Sequence, residues 1–130
     1  MKFEARKIRL IMQLRKQGIT NTNVLSAIEK VPRENFVSET FIDKAYEDSA
    51  LPIEEGQTIS QPFIVALMTQ SLCLDRKSKI LEIGTGSGYQ AAVLSHICRR
   101  VFTIERFETL LRNAQLKFKS CNIHNIVTKH

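Results

Sequence analysis

The 130-residue chain has no tryptophan, few aromatic residues (7%) and only three cysteines. Cys73, Cys98 and Cys121 stand far apart, with no C-x-x-C pair. That argues against a disulfide framework or a zinc site and for reduced, mostly buried thiols. No apolar run approaches the length of a membrane span, so no membrane partner is expected. Met1 to Lys7 is charged and no apolar stretch follows it, so no signal peptide is expected either and the location read from this is cytoplasmic. His96, His124 and His130 have no partner at ligand spacing, and no metal is expected. Internal repeats and low-complexity tracts are also missing.

What is present is an ordinary globular composition, 43% hydrophobic and 25% charged, in a length that holds one domain. The formal charge of +6 admits a nucleic-acid partner in principle. The basic residues are scattered, however, over Lys2, Arg6, Lys7, Arg9, Arg15 and Lys16, then Arg99-Arg100, then Lys117 and Lys119. They lack the interleaved aromatic platform of single-strand binders. A solvated helix face is the reading, and no nucleic-acid partner is expected.

The informative stretch is Lys79-Ile80-Leu81-Glu82-Ile83-Gly84-Thr85-Gly86-Ser87-Gly88-Tyr89. A short apolar run with Ile80, Leu81 and Ile83 reads as a buried strand, breaks into three glycines at alternate positions and resumes with helical composition. Strand, glycine turn and helix form a ligand-binding corner, because glycine admits positive φ and close approach of a ligand. A dinucleotide fingerprint, G-x-G-x-x-G, would need glycine at position 89, where Tyr89 stands. Glu82-x-Gly84-x-Gly86-x-Gly88 is instead similar to the motif of class I S-adenosylmethionine-dependent methyltransferases, in which the loop wraps the amino-acid end of the cofactor. Glu105, about twenty residues further on at the end of a second strand, stands where nucleotide-binding folds place an acid for two ribose hydroxyls. Arg106 beside it is assigned to the same site. Glu82 has three open roles: bonding the glycine-loop backbone, bonding the cofactor's amino group, or structure alone.

Around this corner the spacing predicts an amphipathic helix over 4–17, with Ile8, Ile11, Met12 and Leu14 on its apolar side and Gly18 just past its end. A second helix carries Val24, Leu25, Ile28 and Val31, is capped from Thr20–Asn23 and ends at Pro32. Residues 33–46 read as a turn and a short helix, and 47–57 as a long loop. A helix is expected from Pro62 to about Leu74, with Phe63, Ala66, Leu67, Ser71 and Leu74 on one face and Ser60 as its N-cap. The glycine-loop helix is expected to end near Cys98. After the strand over 101–104 come a helix over 107–119, with Phe107, Leu110, Leu111, Ala114 and Phe118 inward, and a third strand over 125–128.

Four segments together carry a closer resemblance: Val31-Pro32-Arg33-Glu34-Asn35-Phe36-Val37, Ala50-Leu51-Pro52-Ile53, Gly56-Gln57-Thr58-Ile59-Ser60-Gln61-Pro62 and Leu81-Glu82-Ile83-Gly84-Thr85-Gly86-Ser87-Gly88-Tyr89. In this order they resemble the bacterial protein-L-isoaspartate O-methyltransferases, over essentially the whole chain. The resemblance implies transfer of a methyl group from S-adenosyl-L-methionine to the misplaced carboxylate of isoaspartyl residues in damaged proteins, which would be the chain's partners. It implies that Ser60 stands beside the carboxylate and that Gln57, Thr58 and Ile59, with Ser60, cover the cofactor. Ser60 can be a helix N-cap, a catalytic hydroxyl, or both.

The expected fold is α/β, with an N-terminal helical subdomain and covering loop (1–60) followed by the first half of a Rossmann-like parallel sheet (61–130). A doubly wound sheet puts its first strand in the middle. Here the strand over 80–83 has neighbours on one side only, and the chain stops where the family continues into a Gly-Asp-Gly turn. The expectation is therefore an incomplete class I methyltransferase fold that binds cofactor weakly and turns over little, monomeric if the chain is complete. Two alternatives stand beside it: a non-catalytic remnant, and a methyltransferase of nucleic acid.

Overall fold

The computed structural model describes residues 2–130. Helix α1 (Glu4–Lys16) turns through Gly18 into α2 (Thr22–Lys30). The Asn21 side chain caps α2 by accepting from the N–H groups of Asn23 and Val24, and the chain leaves α2 at Val31, before Pro32. Short 3₁₀ turns at Arg33–Asn35 and Glu39–Lys44 follow. Next come a two-residue strand β1 (Leu51–Pro52) and its antiparallel partner β2 (Thr58–Ile59). The α/β part is α3 (Pro62–Ser71), β3 (Lys79–Ile83), α4 (Tyr89–Ser95), β4 (Arg100–Ile104), α5 (Glu108–Ser120) and β5 (Ile126–Lys129). Its three strands are parallel, in the order β3-β4-β5.

One hydrophobic cluster runs from Leu10 and Leu14 of α1, through Val24, Leu25 and Ile28 of α2, to Tyr89–Leu94 of α4 and Val101 of β4. Helix α2 packs against both α3 and α4, so the N-terminal helices share a core with the sheet layer. Full burial of each such Leu, Ile or Val is worth about 1.5–3 kcal/mol.

Several details differ from the sequence reading. In α1 the buried face is Lys7, Leu10 and Leu14, while Ile8 and Met12 are more than half exposed. The Lys7 stem lies inward and its ammonium sits 5.6 Å from the Tyr46 ring centroid, as long cationic side chains can. Within the expected loop over 47–57, Leu51–Pro52 pairs as a strand with Thr58–Ile59 and Glu54–Gly56 forms a 3₁₀ turn, so the segment ends in a small hairpin arm. Helix α3 stops at Ser71 because Cys73 takes φ 52°, and it buries Pro62, Val65, Ala66 and Thr69 while Leu67 faces out. Helix α4 ends at Ser95, three residues before Cys98. Cys73 is exposed, whereas Cys98 is buried and Cys121 half-buried. Strand β3 is not buried: Leu81 is 60% and Ile83 74% exposed, since β4 is its sole strand partner among the described residues.

Candidate active site

The glycine loop leaves the carboxyl end of β3 and is stapled to β4 from beneath. Gly84 N–H and Thr85 N–H both donate to the Ile104 carbonyl, at 2.7 and 3.2 Å. Gly84 sits at φ +94°, and a Cβ there would meet nothing within 4 Å. The backbone at this point is bare and open to a ligand. Gly88, at φ +90°, serves a different purpose: a Cβ there would stand 2.9 Å from Phe118 and 3.1 Å from Ala114. Its missing side chain is what lets α4 start against α5.

Glu105 ties the loop to the next helix. One carboxylate oxygen accepts from Gly86 N–H at 2.8 Å, the other from Phe107 N–H at 3.0 Å. Glu105 is buried, and each of its oxygens keeps a second lone pair for a further donor. Deeper in, the Thr85 hydroxyl lies 2.6 Å from that of Thr103, which donates to Glu82 Oε1 at 2.6 Å. Thus Glu82 bonds a hydroxyl of the neighbouring strand, not the glycine-loop backbone. Burial raises its carboxyl, the Thr103 bond opposes this and the charge of Glu105 adds to it, leaving Glu82 at about 7.

The facing wall is the β2 arm. Ile59 is buried against the hairpin, whereas the Ser60 side chain is exposed. Ser60 is not the N-cap of α3. Gln61 holds that position, and the cap is made from a distance by Asp48, which accepts from Phe63 N–H at 2.8 Å and from Gln61 Nε2 at 3.2 Å. The Ser60 hydroxyl has no hydrogen bond among the described residues. Its carbonyl accepts from Arg33 Nη2 at 3.0 Å.

Between these walls lies an open cleft of about 420 Å³, a size that accepts a cofactor. Thr58, Ile59 and Ser60 line one side, Glu82 to Ser87 the other, with Met68, Thr69 and Leu72 of α3 and Tyr89 and Gln90 of α4 between them. Gln90 Nε2 donates to the Thr69 hydroxyl at 2.9 Å and joins the two helices there. Among the lining residues Glu82 is the one carboxylate and none is cationic, so the cleft suits a ligand that carries positive charge. No group of three His, Cys, Asp or Glu among the described residues could hold a metal ion.

The structure therefore brings Thr58, Ile59, Ser60, Glu82, Gly84 and Gly86 to one cleft, with Gly88 and Glu105 behind it. Gln57 and Arg106 are not among the lining residues. Gln57 is exposed and its amide donates to Glu55 O at 3.1 Å. Arg106 is exposed with its guanidinium 4.6 Å from the Phe107 ring. Sequence reasoning missed the Thr85–Thr103 pair, Thr69, Tyr89 and Gln90. The signal for Thr103 was the β4 alternation, which turns Val101, Thr103 and Glu105 to the buried side.

The family model for protein-L-isoaspartate(D-aspartate) O-methyltransferase matches residues 5–130. A Parvibaculum lavamentivorans protein-L-isoaspartate O-methyltransferase is 61% identical over 97% of this chain and 57% of its own length. A solved protein-L-isoaspartate O-methyltransferase superposes at TM-score 0.84 with 30% identity, over 94% of this chain and 41% of that one. A Plasmodium falciparum structure described as such an enzyme in complex with S-adenosyl-L-homocysteine superposes at TM-score 0.78 with 24% identity, over 92% of this chain and 60% of that one. This chain spans a little over half the length of the curated relatives it matches. Its α/β architecture is that of a partial class I methyltransferase sheet, and the chain belongs to the protein-L-isoaspartate(D-aspartate) O-methyltransferase family.

Proposed function

We propose that this chain carries the cofactor corner and the substrate-facing arm of a protein repair methyltransferase. The cofactor is S-adenosyl-L-methionine and the methyl acceptor is the carboxylate of an L-isoaspartyl residue in a damaged protein or peptide. The observation that carries the reading is the convergence of Thr58–Ser60 and Gly84–Ser87 on one cleft whose single carboxylate is Glu82. On this reading residues 1–60 supply the helical subdomain and covering arm, and 61–130 the first half of the cofactor-binding layer.

The residues fit the cofactor chemically. Bare backbone at Gly84 allows close approach, Glu82 answers a positive charge, and Glu105 retains acceptor capacity for ribose hydroxyls behind Gly86. Thr58 and Ile59 cover the cleft from the arm. When bound, S-adenosyl-L-methionine supplies an electrophilic methyl group on a sulfonium. The acceptor carboxylate needs no general base, because with an ordinary value of about 3.5–4 it is already ionised near neutral pH. The chain's own task is to orient it. The free Ser60 hydroxyl can donate to a carboxylate oxygen, and Ile59, Met68 and Leu72 give the cleft an apolar lining beside it.

Transfer of tritium from labelled S-adenosyl-L-methionine to an isoaspartyl peptide, with RNA as the parallel substrate, tests this. Label in the peptide alone is expected. The rate should be low and cofactor binding weaker than micromolar, because the cleft is open along β3. Label in RNA alone would overturn the reading in favour of a nucleic-acid methyltransferase. Absence of any cofactor binding at millimolar ligand would favour a non-catalytic chain.

A further inference from the structure

Arg33 is fully buried, an uncommon place for a guanidinium. Its Nη2 donates to two carbonyls of the hairpin region, Ser60 O at 3.0 Å and Ser49 O at 3.4 Å. Its Nε and Nη1 find no partner. The guanidinium carbon lies 4.7 Å from the Tyr89 ring centroid, and Phe36 meets the same ring edge-on at 5.8 Å. Tyr89 is the residue immediately after Gly88 and itself lines the cleft. A buried cation with two unsatisfied N–H groups is costly to maintain. Its geometry is specific to arginine, because one planar group must both fork between two carbonyls and lie on an aromatic face.

We propose that Arg33 is a positioning residue that couples the Ser60 arm to the glycine-loop helix, so that occupation of the cofactor side fixes the substrate hydroxyl. The coupling runs from Tyr89, in the cleft wall, through the guanidinium plane to the Ser60 carbonyl. The proposal rests on the functional reading above, which supplies the ligand and the role of Ser60. Asp48, which caps α3 beside the arm, contributes a negative charge near Arg33, and the backbone N–H of Arg33 is held separately by the Tyr46 hydroxyl.

The test is amide hydrogen exchange on the chain and its Arg33→Lys and Arg33→Met variants, free and with S-adenosyl-L-homocysteine as the probe. Arg33→Lys keeps the cation and, with the backbone anchor, the fold; Arg33→Met removes the fork to Ser49 O and Ser60 O and should accelerate exchange at 58–61 at least as much. In the free chain, exchange at 58–61 should accelerate by about tenfold in Arg33→Lys while α2 and α5 stay unchanged. With ligand, residues 58–61 should gain protection in the wild-type chain and not in Arg33→Lys, although its dissociation constant shifts by less than about threefold. A role confined to folding would instead raise exchange throughout and leave ligand protection of 58–61 in place, and that result overturns the proposal. Equal free-state exchange at 58–61 in wild type and Arg33→Lys overturns it too. Failure of the wild-type chain to bind the probe would overturn the functional reading as well, and is distinguished by the titration itself.

Discussion

Glu82→Gln isolates the carboxylate in the cleft without changing its shape, and Thr103 can still donate to the amide oxygen. In the wild-type chain burial moves Glu82 from its ordinary 4.5 to about 7. Below 4.5 it is protonated whether the chain is folded or not, and contributes nothing. Between 4.5 and about 7 the folded chain keeps a proton that the unfolded chain releases, so stability falls as pH rises. Above about 7 both states are ionised and the loss is complete. Its size is about 3 kcal/mol on the scale of 1.36 kcal/mol per tenfold change in proton affinity. Urea unfolding at pH 5 and pH 8, read as the difference between Glu82→Gln and wild type, cancels the other titrations. That difference should grow with pH by about 2–3 kcal/mol in favour of the variant. Cationic ligand should reverse the balance: S-adenosyl-L-methionine favours ionised Glu82, so wild-type affinity should rise as pH passes 7 and that of the variant should stay flat. Parallel stability profiles for the two proteins would refute the placement of Glu82 as a buried, proton-holding group.

Gly88→Ala forces a Cβ to within 2.9 Å of Phe118 at φ +90°, and should cost about 2–4 kcal/mol in denaturant unfolding, strain and overpacking together. Asp48→Ala removes the acceptor of Phe63 N–H and should cost about 1–2 kcal/mol, in the range of a lost N-cap. Ser60→Ala should leave stability within about 0.5 kcal/mol, since the hydroxyl is exposed and free, while lowering methyl transfer to an isoaspartyl peptide. A thermal shift matching the loss of about 1 kcal/mol expected of a helix cap would reinstate the capping role of Ser60.

The cofactor corner was legible because its chemistry is local. Alternate glycines, a strand before them and an acid at the end of the next strand are all spacings within one βαβ unit, and the structure places each of them together. Long-range partners were not legible. Ser60 looks like the cap of α3 from sequence because it lies two residues before Pro62. Only the fold reveals that Asp48, from the other side of the hairpin, takes the cap and leaves the hydroxyl free. The inward face of α1 was misread for a related reason: Lys7 is buried by lying over Tyr46, a tertiary contact that hydropathy cannot register. The exposure of Leu81 and Ile83 is likewise a property of what stands beside β3, not of β3 itself.

That contrast separates two halves of the site physically. Beyond its own turn bonds, the glycine loop is held mainly from the β4 and α5 side: by the Ile104 carbonyl, by Glu105 between Gly86 and Phe107, by the Thr85–Thr103–Glu82 chain, and by Phe118 and Ala114 beneath Gly88. None of these contacts uses the free edge of β3, so the loop keeps its shape with that edge open. Catalysis of a methyl transfer asks for more than a shaped loop. Electrostatic interactions strengthen when water is excluded, and the cleft bordered by the exposed Leu81 and Ile83 leaves one flank to solvent. The burial that raises Glu82 is therefore supplied within the chain, while closure of the cleft depends on whatever covers β3. On the proposed reading, holding the cofactor and turning it over efficiently therefore rest on different parts of the molecule, the first on the glycine loop and its β4 and α5 supports, the second on closure over β3.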